Sequence, residues 1–385
     1  MQYSKRKWLF LWIAAMLFII QKHAVPQTFL LKGLVSGWVV VNTDSLKDSQ
    51  LGLRYIPEFY MEKSITKDST FDVEFSLNAY GTGEVHAFDD IQTEGKVKLY
   101  RLWLRFSKSK FEARLGLQKI NFGSATLLRP LMWFDRIDPR DPLQMTDGVY
   151  GLLLRFYFLN NANVWFWGLY GNDKPKGWEY LPTYDKSPEI GGRIQAPLKN
   201  GEIAFNYHYR KIDLSKSSFF QVAHDSTRIP ENRFALDGKW DIGVGVWFEG
   251  SLVHQRSELL LFKWQRALNF GLDYTFNLRN GLTVLGEHFI FEKSKDALGA
   301  GEDIKFSAIS LRYPMGLLDN INCILYYDWK NEDLYTFVNW RRTYDRWSFN
   351  VIGFWNPERF QIYPEKSGSN LFAGKGFQIM VIFNY

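Results

Sequence analysis

WQRALNFGLDYTFNL, Trp264 to Leu278, reads in twos. Trp264, Leu268, Phe270, Leu272, Tyr274, Phe276 and Leu278 share one parity and Gln265, Asn269, Asp273, Thr275 and Asn277 the other, with Arg266 the one charge on the apolar side. Such alternation puts oil and water on opposite faces of an extended strand. FDVEFSLNAY repeats it, with Phe71, Val73, Phe75, Leu77 and Ala79 against Asp72, Glu74, Ser76 and Asn78. In EIAFNYHY, Ile203, Phe205, Tyr207 and Tyr209 oppose Glu202, Asn206 and His208. Ordinary strands run about five or six residues; tilted strands of roughly ten to twelve cross the apolar band of a membrane barrel, about 25 Å tall.

Composition points the same way. The 385 residues are 46% hydrophobic and 17% aromatic, yet the mean hydropathy is below zero. Past residue 20 no apolar run approaches the roughly 18 residues of a spanning helix. The N-terminus reads as an address: MQYSKRK is basic, Trp8 to Ile20 apolar and QKHAVPQ polar, the pattern of a secretory signal peptide. The segment expected to be removed is 1–24, ending on the small Ala24; Lys22 is unfavourable so near the cut, which leaves its position open. Residues 25–385 are then one domain. Lys5, Arg6, Lys7 and Lys22 all lie in the leader, so the 47 basic residues fall to 43 against 41 acidic ones, a net of +2. A near-neutral chain of mixed signs gives a nucleic-acid partner no footing. The single Cys323 lies among apolar neighbours and reads as an inert small hydrophobe.

Topology follows from the connections. Short ones occur at 107–110, 159–162, 198–201, 241–243, 278–281, 314–320 and 343–346, and connections that are usually longer alternate with them. The expectation is an all-β, antiparallel, up-and-down transmembrane β-barrel of about eighteen strands, sixteen being the even alternative. The first four fall at 32–42, 51–62, 70–81 and 96–107, and the last at 373–384. An even count puts both termini on the periplasmic side with the short turns. Trp329, Trp340, Trp347, Trp355, Tyr326 and Tyr327 lie near strand ends, where interfacial girdles sit.

Two segments carry a resemblance. GFQIMVIFNY (376–385), with Phe377, Ile379, Val381, Phe383 and Tyr385 on one face, is similar to the C-terminal signal strand of Gram-negative outer-membrane β-barrels. EARLGLQKINFGSATLLRP (112–130), followed by FDRIDPRDPLQMTDGVYGLLLRFYF (134–158), resembles the porin-like family's strand entering a Pro/Asp-rich loop and returning. The resemblance covers under fifty residues. It implies a channel-type barrel in the outer membrane of a Gram-negative bacterium, in contact with lipid and, during biogenesis, with the barrel assembly machinery. It names no solute and transfers no catalytic residue. Self-association into a homo-oligomer is compatible with it.

The expected function is a porin-like channel for diffusion of small hydrophilic or charged solutes. The alternative is a structural or docking barrel in a larger envelope assembly, and an outer-membrane hydrolase ranks last. The polar parity supplies the candidate pore-lining residues Arg101, Arg105, Arg114, Arg155 and Arg193. Such arginines either select solutes, as charged rings do in pores, or hold adjacent strands together as lumen pairs. The long third loop, 121–148, is oily for a loop, with Trp133 and Phe134 beside Asp135, Asp138 and Asp141. It is expected to fold toward the lumen, constricting the channel and setting its aspartates across from the arginines; the alternative is an outer cap in which Arg136 and Arg140 neutralise them locally. His224, Asp225 and Ser226 are sequence neighbours whose side chains point apart, so no catalytic role is assigned. His86, His208, His254 and His288 stand singly, without metal-ligand spacing, so neither metal nor cofactor is expected.

Overall fold

The structure is a computed structural model describing residues 27–44, 49–86, 90–216, 228–358 and 372–385. The expected leader and the His224-Asp225-Ser226 triplet lie outside these residues.

Eighteen strands follow one another around the wall. They are β1 (Gln27–Asn42), β2 (Ser49–Thr66), β3 (Ser69–His86), β4 (Asp90–Lys108), β5 (Phe111–Gln118), β6 (Val149–Tyr157), β7 (Asn163–Leu169), β8 (Glu189–Leu198) and β9 (Gly201–Asp213). The second half comprises β10 (Arg228–Asp241), β11 (Gly245–Gln255), β12 (Trp264–Phe276), β13 (Leu282–Ser294), β14 (Glu302–Pro314), β15 (Asp319–Asp328), β16 (Asp333–Thr343), β17 (Trp347–Trp355) and β18 (Lys375–Asn384). Each pairs antiparallel with its sequence neighbours. β1 also pairs with β18, Trp38 lying opposite Met380 and Val39 opposite Ile379, which closes the sheet.

The fold is therefore the closed antiparallel barrel of outer-membrane proteins, and its apolar parity faces out. Leu31, Leu53, Phe75, Ile190, Phe205, Phe270 and Ile379 are all exposed, whereas Asp72, Asn206, Asn269 and Gln378 are buried. Several rim aromatics satisfy their polar atoms: Trp329 Nε1 donates to Ser307 Oγ at 2.9 Å, Trp340 Nε1 to Asp319 Oδ1 at 3.1 Å, and the hydroxyls of Tyr55 and Tyr385 meet at 2.9 Å. Tyr326 does not belong with them. Adjacent residues of a strand face opposite ways, so Tyr327 shares the outer parity of Cys323 and Leu325 while Tyr326 points inward among Phe306, Tyr335 and Phe337.

β1 to β4 exceed the sequence expectation, β1 and β2 mainly toward the short turns and β3 and β4 toward the opposite rim. At that rim the alternation fades in GTGEVH of β3 and DIQTEGKVK of β4, but the ladder continues, His86 still lying opposite Asp90. Hydrogen bonding outlasts the apolar pattern there because, above the lipid, neither face needs to be oily.

Two outcomes check the faces and the closure. In a Cys323→Ala background, cysteine at Asp273 or Thr275 should react with a water-soluble thiol reagent, and cysteine at Phe270 or Leu272 should not. Phe270→Arg should cost roughly 2 to 4 kcal/mol if it sits near mid-membrane and lower the yield of folded barrel. Deleting Gly376 to Tyr385 leaves β1 and β17 each with an unpaired edge, so heat-modifiable, protease-resistant barrel should vanish from membrane fractions.

Candidate functional site

β5 ends at Gln118 and β6 begins at Val149, both short, so the chain leaves the wall early and the 30 residues between them cross the interior. Gln118 marks the departure: its side-chain amide donates to the carbonyls of Arg114 (3.1 Å) and Gly151 (2.9 Å). Ile120, Phe122, Leu131, Trp133 and Phe134 then pack on Leu153, Trp167 and Leu169 of the near wall. Phe122 stacks on Trp167 at 5.8 Å, and Phe134 meets Trp167 edge-on at 5.3 Å and His208 at 5.0 Å. Leu127, Leu128 and Met132 join a second cluster on the opposite wall, with Phe289, Phe306, Tyr335 and Phe354. Burying each such side chain is worth about 1.5 to 3 kcal/mol.

A backbone crossing a barrel needs acceptors, and two wall carboxylates provide them. Glu287 on β13 accepts from the amides of Thr126 (2.7 Å), Leu127 (3.1 Å) and Leu128 (2.6 Å). Asn269 on β12 donates to Glu287 at 3.2 Å and to the Leu128 carbonyl at 2.6 Å. On β11, Glu249 Oε1 accepts from the Ala125 amide at 2.7 Å. Gly123, at φ +94°, passes so close that a Cβ would come within 2.3 Å of that oxygen. The sequence reading missed Glu287; its signal was present, a carboxylate at the inward parity of a regular strand.

A second connection, 170–188, lies over the first. Trp178 donates to the Arg129 carbonyl at 2.8 Å and stacks on Phe289 at 4.7 Å. Beside it Arg210 and Arg233 share Glu179 and Glu231, with contacts of 2.6 to 2.9 Å.

The loop aspartates find their partners within the loop. Asp135 is buried in a two-pronged pair with Arg129, both distances 3.1 Å. Asp138 pairs with Arg140 at 2.7 Å. Asp141 accepts from the Leu143 amide at 2.9 Å, and burial pushes its carboxyl above the usual carboxylate range. None of the three reaches across to the arginines named from the sequence. Trp133 and Phe134 likewise pack on the near wall, buried rather than projecting.

The five candidate arginines do share the inner face, and four meet carboxylates. Arg105 contacts Asp72 at 2.5 Å, Arg114 and Arg155 contact Glu112 at 3.1 and 3.5 Å, and Arg193 forms a fork with Asp237 at 2.7 and 2.9 Å. Arg101 instead donates to the Thr146 carbonyl at 3.0 Å, tying the loop's return to β4. Two cavities flank the crossing segment. One of about 460 Å³ lies among Met132, Trp178, Arg233 and Phe291, and one of about 310 Å³ among Pro139, Arg312, Asn322 and Arg341.

No protein-family model matches the chain, and no curated protein matches it. Solved structures do. OccAB4 of Acinetobacter baumannii aligns with TM-score 0.56 and 8% identity over 94% of this chain and 99% of that one. Salmonella typhi OmpF, in complex with daunomycin, aligns with TM-score 0.51 and 12% identity over 93% of this chain and 97% of that one. At such identities the likeness is one of fold.

The clamp is open to test. Glu287→Ala leaves three loop amides without their acceptor, a loss of about 3 kcal/mol or more. Thermolysin, which cuts before large apolar residues, should then cleave at Leu127 or Leu128 in the folded variant and spare the wild-type loop; an uncut variant would mean that other contacts hold the crossing.

Proposed function

We propose that the protein is an outer-membrane channel through which small hydrophilic or charged solutes diffuse, narrowed by the segment between β5 and β6. The observation that carries this reading is a closed eighteen-strand barrel, oily outside and charged within, whose longest described connection is bonded to the inner wall and flanked by cavities of about 460 and 310 Å³. Closed barrels of roughly 16 to 18 strands enclose an aqueous channel unless something fills it. The ion pairs within the loop argue against a field between loop aspartates and wall arginines, so the narrowing here is steric.

A docking barrel is the second reading, favoured by the apolar residues Leu259, Leu261 and Leu298, exposed on two neighbouring connections opposite the short turns. Solute passage by itself separates the two, since a plugged docking subunit conducts nothing. No catalytic role is proposed.

Purified protein in a planar bilayer should give discrete single-channel openings. Removing 124–146 behind a short glycine linker should leave a folded barrel, because every strand keeps its partners, and should raise unit conductance about twofold or more by widening the path. Unchanged conductance would place the bottleneck elsewhere; no openings in either form would remove the channel reading.

A further inference from the structure

Some inward-facing arginines meet carboxylates and others do not; among the latter, Arg54 lies over the rings of Trp38 and Tyr80 and Arg101 donates to the carbonyls of Tyr100 and Thr146. Arg105, Arg114, Arg155, Arg193, Arg210 and Arg233 all meet carboxylates. Arg312 on β14 and Arg341 on β16 meet none among the described residues. Arg341 donates from Nε to Asn350 Oδ1 at 2.9 Å and from one terminal nitrogen to the Pro142 carbonyl at 3.1 Å. Arg312 has no hydrogen-bond or ion-pair partner among the described residues. Both line the cavity of about 310 Å³ at the tip of the crossing loop, together with Asn320, Asn322 and Asn339. Register explains the grouping: on β15 between them, Asn322 lies opposite Arg312 and Asn320 opposite Arg341.

The surroundings cancel the positive charge only in part, Asp141 in the same lining attracting Arg341. The inward positions of β17 and β18 alongside, from Ser348 to Phe354 and from Gln378 to Ile382 on alternate residues, carry no charge. Asn350 is fully buried, and its side-chain nitrogen is a donor without an acceptor. From the loop, Arg140 is matched by Asp138, and Asp141, the carboxylate in the lining, accepts from backbone amides. Two guanidinium groups and several amide donors around one cavity of about 310 Å³, beside a weakly polar wall, form an anion receptor rather than a structural ion pair.

We propose that this cavity binds small anions of the phosphate or carboxylate type and, on the channel reading above, is where they pass the crossing loop. Passage then runs beside β14 to β16, across the barrel from the arginines of β4 to β8, whose charge is largely consumed by Asp72, Glu112 and Asp237.

The test uses the full chain, in detergent and in bilayers. Calorimetry with inorganic phosphate should detect binding to the wild type and to Arg342→Gln, an outward-facing control, and none to Arg312→Gln/Arg341→Gln. In a potassium chloride gradient the zero-current potential should report preference for chloride, reduced roughly threefold or more in the double glutamine variant and kept in Arg312→Lys/Arg341→Lys, which retains charge at both positions. Phosphate binding that is absent from the wild type, or unaltered in the double glutamine variant, overturns the proposal. Arginine-dependent phosphate binding without any current upholds the receptor and removes the channel reading; current without anion preference or phosphate binding does the reverse.

Discussion

A backbone amide in hydrocarbon has no water to turn to, and the seam between β1 and β18 is where this chain meets that constraint. Val39 sits between Leu51 on β2 and Ile379 on β18, so the first strand is a central strand in all but sequence position. With the ring complete, outward side chains are free to be oily and inward ones to be charged, since no strand has to protect an edge. The same requirement reappears inside. A segment crossing the lumen exposes amides that no ladder can take up, and Glu249 and Glu287 accept them from the wall. Glu287 is the sharper case: one carboxylate gathers three successive amides and is itself steadied by Asn269.

The interior this creates is divided. From β4 to β10 the wall holds interlocked charges, Glu112 between Arg114 and Arg155, Asp237 in the fork of Arg193, and the Arg210, Arg233, Glu179 and Glu231 group. From β12 round to β18 the wall beneath the loop carries an aromatic cluster, Phe289, Phe306, Tyr335, Phe337 and Phe354, beside Glu287 and the Arg312 and Arg341 cavity. The loop fits this division, offering Phe122 and Phe134 to one side and Leu128 and Met132 to the other. Paired charges so enclosed contribute specificity of position more than stability, because desolvation offsets much of their attraction.

The strand pattern was legible because lipid imposes it: Phe270 and Ile379 must face out, and a period of two announces them. All eighteen strands were readable on that basis, and their boundaries slipped where the lipid ends, as in the upper parts of β3 and β4. The interior was less legible. Parity placed Arg105 and Arg193 on the inner face but is silent about partners, so Asp72 and Asp237, fixed by register between strands, could not be matched to them. The loop aspartates illustrate the other limit. Their spacing suggested a row facing one way, whereas Pro139 and Pro142 break the chain's direction and Asp135, Asp138 and Asp141 each settle on a different local donor. Arg312 and Arg341 sit at inward parity; what sets them apart is that Asn322 and Asn320, not carboxylates, lie opposite them on β15, which belongs to the assembled wall.

The clamp on the crossing loop also carries a clock. Ala125 is 124 residues from Glu249, and Leu128 is 159 residues from Glu287, so its acceptors do not exist until β11 and β13 stand in the wall. Contacts so distant along the chain form late, after the entropy of closing long loops has been overcome. Phe122, Trp133 and Phe134 have β6 and β7 close along the chain, whereas the cluster that Leu127, Leu128 and Met132 join lacks most of its wall until β13 to β17 are in place. The crossing is completed only when Glu287 captures its amides. Maturation of the passage is thus a separate event from completion of the wall, and the two need not share a rate.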